Sequence, residues 1–239
     1  MKYKHLFPLL VTLFLLNSCG DNSKDLPPID PAFTNYIKGF TAGVVSNSTS
    51  IRIRLAEDQT EAIAGEEVNK ELFDFSPDIE GKTIWVDSKT VEFVPNEKLP
   101  SGTIYDVEFE LGDLQEVPDK LSTFVFRFQT IKQDLFVSFN GMQAYEDDQL
   151  QWQQLSGGIQ TSDIADLESL QQTLHATQNG KELSINWEFS SSGLNHVFKI
   201  DSVSRKETAE KVVISWDGEI IDSKAKGEEI INIPALGDF

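Results

Sequence analysis

From Tyr36 onward the apolar residues recur in short runs of period two. Ile51, Ile53 and Leu55 alternate with Arg52 and Arg54; Tyr105, Val107, Phe109 and Leu111 alternate with Asp106, Glu108 and Glu110; Phe124, Phe126 and Phe128 alternate with Val125 and Arg127. Side chains on a strand point alternately to opposite faces, so this pattern predicts half-buried antiparallel strands, not helices. Between the runs lie turn-forming clusters: Ser76-Pro77-Asp78, Glu80-Gly81-Lys82, Pro95-Asn96-Glu97 and Pro100-Ser101-Gly102. Strands recurring about every ten residues between such clusters indicate a β-sandwich.

Thr130 to Gln133 reads as a boundary, after which a second strand set begins. It comprises Leu135–Phe139, Leu150–Leu155, the alternating Leu183, Ile185, Trp187 and Phe189, then Val197–Val203 and Val212–Trp216. Gly157-Gly158 and Asn179-Gly180 are predicted turns, and Asn-Gly is a strong hairpin signal. Thr161-Ser162-Asp163 followed by Ile164, Leu167, Leu170 and Leu174 fits a capped amphipathic helix, or a loop with helical propensity. The chain is thus read as all-β, with two tandem antiparallel sandwiches over residues 36–131 and 132–233. Residues 234–239 resemble the start of a linker, which suggests the front part of something longer.

The amino terminus has a different pattern. Lys2 and Lys4 precede an apolar stretch from Leu6 to Leu16, and Leu16-Asn17-Ser18-Cys19-Gly20 follows. This is the charged, apolar and small-residue order of a secretory signal, with a lipobox cysteine as the first mature residue. The stretch is about half of the roughly 20 apolar residues a membrane span requires, and Pro8 interrupts it. The expectation is a signal peptide over residues 1–18, lipidation (palmitate-type acylation) at Cys19, and a proline-bearing tether over 19–35. Gly20 is compatible with sorting to the outer membrane, placing the protein in the cell envelope with the bilayer as partner through acylated Cys19.

Charge and inventory narrow the chemistry. The 39 acidic residues exceed the 20 basic ones, for a net charge of −19. Loss of Lys2 and Lys4 with the signal makes the mature chain more acidic still. Such a surface repels phosphates, so no nucleic-acid partner is expected. Cys19 is the only cysteine, so no disulfide can form within the chain and the cores must be apolar. Sixteen Phe and four Trp supply that area, at about 150–250 Å² per buried aromatic.

No enzyme is expected. His175 and His196 are the histidines beyond the signal, and both read as structural. No G-x-S-x-G, H-E-x-x-H or P-loop run is present. Glu146-Asp147-Asp148 and Asp163…Asp166…Glu168 offer oxygen ligands for calcium but lack the EF-hand spacing, so neither metal nor cofactor is assigned. Trp85, Trp187 and Trp216 occupy alternating strand positions and read as core. A glycan-binding site would use exposed Trp or Tyr; Trp152, between Gln151 and Gln153, is the tryptophan whose placement is least defined, and its grouping with other aromatics on an open face would favour such a site. Asn47-Ser48-Thr49 reads as a polar loop.

One stretch is more specific than its period. Ser76-Pro77-Asp78-Ile79-Glu80-Gly81, then Trp85, then Phe93-Val94-Pro95, then Leu99-Pro100-Ser101-Gly102-Thr103-Ile104-Tyr105 resembles a bacterial immunoglobulin-like pattern. Its motif residues are Pro77, Gly81, Trp85, Phe93, Pro95, Gly102 and Tyr105. Gly81 and Gly102 are expected in turn conformations that a Cβ would penalise. Pro95 is expected to end a strand, and the three aromatics to fill the inter-sheet core. Together with the lipobox, Tyr36 to Gly43 and the second strand set, the chain resembles the amino terminus of bacterial alpha-2-macroglobulin-like proteins. That resemblance implies macroglobulin-type sandwiches serving as scaffold in a lipid-anchored endopeptidase inhibitor, whose full-length form traps proteases. The family's C-x-E-Q thioester motif is absent from these residues, and no bait region is identifiable. A second reading is a stand-alone cell-envelope lipoprotein that recognises glycan or protein through its loops.

Overall fold

The computed structural model describes residue 26 and residues 28–145 and 150–237. Cys19 and the rest of the lipobox lie outside the described residues, as do Glu146-Asp147-Asp148. Among the described residues no helix is long and apolar enough to cross a membrane.

The first unit contains β1 (Ile37–Phe40), β2 (Gly43–Val45), β3 (Ile51–Leu55), β4 (Phe73–Ser76), β5 (Gly81–Trp85), β6 (Thr90–Pro95), β7 (Ile104–Glu110) and β8 (Thr123–Thr130). They form two sheets, β1-β3-β6-β5 and β2-β8-β7-β4. This is the strand order of an immunoglobulin-type sandwich. The first strand is split between the sheets, with β1 antiparallel to β3 and β2 parallel to β8. Gly43, at φ +76, makes that crossover in a backbone region open mainly to glycine.

The predicted alternation decides which faces meet. Phe124, Phe126 and Phe128 are each 1% exposed, whereas Val125 and Arg127 are half-buried on the outer face. Each buried ring contributes about 1.5–3 kcal/mol relative to exposure. Phe33 and Phe40 pack edge-on against Phe124, with ring centroids 4.9 and 5.0 Å away.

The second unit contains β9 (Leu135–Ala144), β10 (Trp152–Thr161), the short helix α1 (Leu167–Gln171), β11 (Leu174–Gln178), β12 (Lys181–Glu182), β13 (Ile185–Phe189), β14 (Asn195–Ser204), β15 (Glu210–Asp217) and β16 (Lys226–Ile233). Its sheets are β13-β14-β10-β9 and β12-β11-β15-β16, again an immunoglobulin-type order. Leu155, Ile159, Phe198, Ile200, Val212 and Ile214 are buried between them.

Several expectations change. Gly157-Gly158 is no turn but the middle of β10, directly opposite Phe198 and Val197 of β14. A Cβ at Gly157 would overlap the Phe198 ring and the Ser138 carbonyl. Gly81 likewise begins β5 instead of occupying a turn, and its missing Cβ leaves room for the Phe93 ring. Asp163 does not cap the helix. Thr161 ends β10, and Asp166 caps α1 by accepting from the Ser169 N–H at 2.9 Å. Leu174 belongs to β11, not to the helix. The core reading of Trp187 and Trp216 holds: both are half-buried and pack against the second core, Trp216 lying over Gly227.

Candidate functional site at the domain junction

A buried polar cluster joins the two sandwiches. Gln133 and Asp163 are 4% and 3% exposed. The Gln133 side-chain amide pairs with the Asp163 peptide in both directions: its Nε2 donates to the Asp163 carbonyl at 2.9 Å, and its Oε1 accepts from the Asp163 N–H at 2.9 Å. The Gln133 N–H donates in turn to Ser101 Oγ at 2.7 Å. The connecting segment is therefore fastened to the β6–β7 turn of the first sandwich and to the β10–α1 loop of the second.

The Asp163 carboxylate faces the first sandwich. Ser46 Oγ donates to Oδ1 and the Asn47 N–H donates to Oδ2, both at 2.7 Å. The Ile164 N–H caps Oδ1 at 2.8 Å. A buried carboxylate is costly unless its lone pairs are filled, and here three donors fill them. Asn47 is itself 9% exposed, and its carbonyl accepts from the Leu99 N–H. The polar Asn47-Ser48-Thr49 loop is thus a docking loop. Sequence reasoning read Asp163 as a helix cap or part of an acidic cluster; Ser46 and Gln133 gave no signal, because their partners lie 117 and 30 positions away.

The other candidate residues do not converge. Asp163 faces the junction while Asp166 caps α1, and no group of three ligating side chains gathers among the described residues. The Ser169 backbone N–H, aided by its side chain, holds the Asp166 carboxyl below the usual carboxylate range; Lys98 of the first sandwich adds a weaker pull. His175 is exposed on β11. His196 is buried on β14 in the opposite sheet, its Nε2 3.2 Å from the Gly193 carbonyl and its ring edge-on to Phe189. His175 lies opposite Ser215 in the β11–β15 pairing, but no hydrogen bond or ion pair joins either histidine to a serine or a carboxylate among the described residues.

The motif residues share one region of the first sandwich. Trp85, Phe93 and Tyr105 are buried in its core, with Tyr105 stacked on Phe128 at 5.0 Å. Pro95 ends β6 opposite Gly81, and Gly102 takes φ +65 in the turn before β7. Pro77 follows β4 through a cis peptide bond. They build the fold.

No protein family matches this sequence, and no curated protein does. Among solved structures, similarity extends to a chimeric titin Z1Z2 pair (9% identity, 85% of this chain, 99% of that one, TM-score 0.34). Titin Ig tandem domains A164-A165 are also similar (9% identity, 84% and 97%, TM-score 0.29). L,D-transpeptidase 3 from Mycobacterium tuberculosis matches over 42% of this chain at 14% identity and TM-score 0.28, and the chain spans 38% of that protein's length.

Proposed function

We propose that this chain is the scaffold portion of a lipid-anchored, alpha-2-macroglobulin-like endopeptidase inhibitor, held at the outer membrane through acylated Cys19, and that it carries no catalysis of its own. The supporting observation is the junction. Two immunoglobulin-type sandwiches tied through a fully hydrogen-bonded, buried Asp163 form a stiff spacer, suited to transmit movement between neighbouring parts of a larger trap. A loosely linked pair would damp such movement. The sequence resemblance supplies the family, and the lone cysteine within the lipobox supplies the anchor.

Two measurements test this reading. Cells labelled with radioactive palmitate should yield a labelled membrane-bound protein, and Cys19→Ala should remove label and anchoring together. An unlabelled, soluble wild type would refute the anchor. For the trap, the full-length protein incubated with a broad-specificity protease should block cleavage of a large protein substrate while sparing a small peptide substrate. Equal cleavage of both substrates with and without the protein would refute the inhibitor.

A further inference from the structure

The four tryptophans are not equivalent. Trp152, the first residue of β10, is 41% exposed, whereas the others are packed against one or other core. It borders an open groove of about 560 Å³ at one end of the second sandwich. Asn179, Lys181, Ser202 and Ser204 line the same groove, and Leu183 is the only aliphatic side chain among its lining residues.

The groove is held in shape by contacts that local sequence does not require. Of three non-glycine residues with left-handed backbone among the described residues, two, Asn179 and Ser202, lie on its rim. Asn179 belongs to the tight β11–β12 turn, but Ser202 (φ +61) sits on a bulge where β14 slips register against β10. Such a conformation is unfavourable for a residue with a Cβ and persists only where neighbours enforce it. Here they do. The Ser202 N–H donates to Tyr145 Oη at 3.1 Å, and that hydroxyl donates to Asp201 at 2.5 Å. Gln154 and Asn186 bind the same carboxylate. On the other side Gln178, 5% exposed, accepts from the Ser204 N–H at 2.9 Å and donates to the Ser204 carbonyl at 2.7 Å.

We propose that this groove binds a neutral pyranose oligosaccharide, with the Trp152 indole as its stacking platform. The ligand class follows from the surfaces. An exposed indole offers a flat apolar face, which matches the C–H face of a pyranose ring. The Ser202 and Ser204 hydroxyls, the Asn179 amide and the Lys181 ammonium match ring hydroxyls, which both donate and accept. A hydrophobic peptide anchor would need an apolar pocket, and Leu183 alone does not make one. Of the two lysines on the groove, Lys206 is neutralised by Glu210 at 2.8 Å and Lys181 is offset by Glu182, so with the net charge of −19 nothing here favours an anionic polymer. The site is independent of the scaffold role and holds whether or not the protein traps proteases.

The test is saturation-transfer NMR on the full chain with triacetylchitotriose, cellotriose and maltotriose at millimolar concentration. At least one sugar should receive saturation at its ring C–H protons and shift the Trp152 indole N–H. Trp152→Ala should weaken that binding about tenfold or more, and Trp152→Tyr should restore most of it. The far-ultraviolet circular dichroism of both variants should match wild type. No transfer to any of the three sugars, or transfer that survives Trp152→Ala in a folded protein, overturns the assignment. So does an indole shift produced by a proline-rich peptide and by none of the sugars.

Discussion

The Ser46 hydroxyl and the Asp163 carboxylate stand 2.7 Å apart although 117 positions separate them in the chain. That contact belongs to neither sandwich by itself. It exists only when both have folded and the segment between them has turned, so it reports on the junction alone.

Asp163→Ala should therefore loosen the pair without unfolding either half. The Ser46 hydroxyl and the Asn47 N–H lose their acceptor, a cost of about 1–3 kcal/mol if they stay buried. Small-angle scattering should show a broader distribution of end-to-end distances, while each sandwich keeps its own hydrogen-exchange protection. An unchanged scattering profile would show that packing alone holds the domains.

Adjacent glycines should respond unequally. Gly157→Ala drives a methyl into the Phe198 ring and the Ser138 carbonyl, and overpacking of this kind costs about 1–3 kcal/mol. At Gly158 the nearest atoms to a new Cβ are Ser138 Oγ at 3.3 Å and the His196 carbonyl at 3.5 Å, so only the Ser138 hydroxyl must shift slightly and Gly158→Ala should cost less than Gly157→Ala. Urea midpoints for the two variants separate a glycine facing a ring and a backbone carbonyl from one facing a side-chain hydroxyl that can turn aside.

The Asn179-Gly180 hairpin pairs Gln178 with Lys181 and places both turn residues at positive φ, 53 and 75. Gly180→Ala meets no steric neighbour but must hold a left-handed backbone, at a cost of roughly 1–2 kcal/mol. Gly180→Asn should cost less, because asparagine tolerates that region. Thermal unfolding of the two variants checks the order.

Asp166 predicts a pH dependence. Its folded pKa lies below the ordinary 3.8, so in acid the unfolded chain takes up the proton first. Its contribution to stability is present above the unfolded pKa and is lost as pH falls through the folded one. Asp166→Asn keeps an acceptor for the Ser169 N–H but cannot titrate. The advantage of wild type over D166N in melting temperature should therefore shrink between about pH 5 and pH 2. A constant difference would rule out a depressed Asp166.

The strands that were legible in the sequence are those with one face in a core and one in solvent. The runs at Ile51–Leu55 and Phe124–Phe128 state their geometry directly, and Asn179-Gly180 states its turn. β16 was not legible, because an edge strand carrying Glu228 and Glu229 lacks clean alternation. Nor was the role of Gly81 or Gly157, since a glycine opposite an aromatic in the next strand has the same local signature as a turn. The helix was displaced for a related reason: Asp163 and Asp166 are equally good caps by type, and a partner from the other sandwich claims the first.

Taken alone, then, the amino-acid order determined an all-β chain of two sandwiches whose aromatic cores need no disulfide. Periodicity and turn chemistry are local properties, and a few neighbouring residues suffice to express them. Tertiary structure alone decided which polar residues become buried partners and which tryptophan stays open to solvent. The carboxylate of Asp163 acquires its donors, and Ser202 its enforced backbone, only from residues brought near by folding. Pairings over such separations leave no mark on the sequence around either partner.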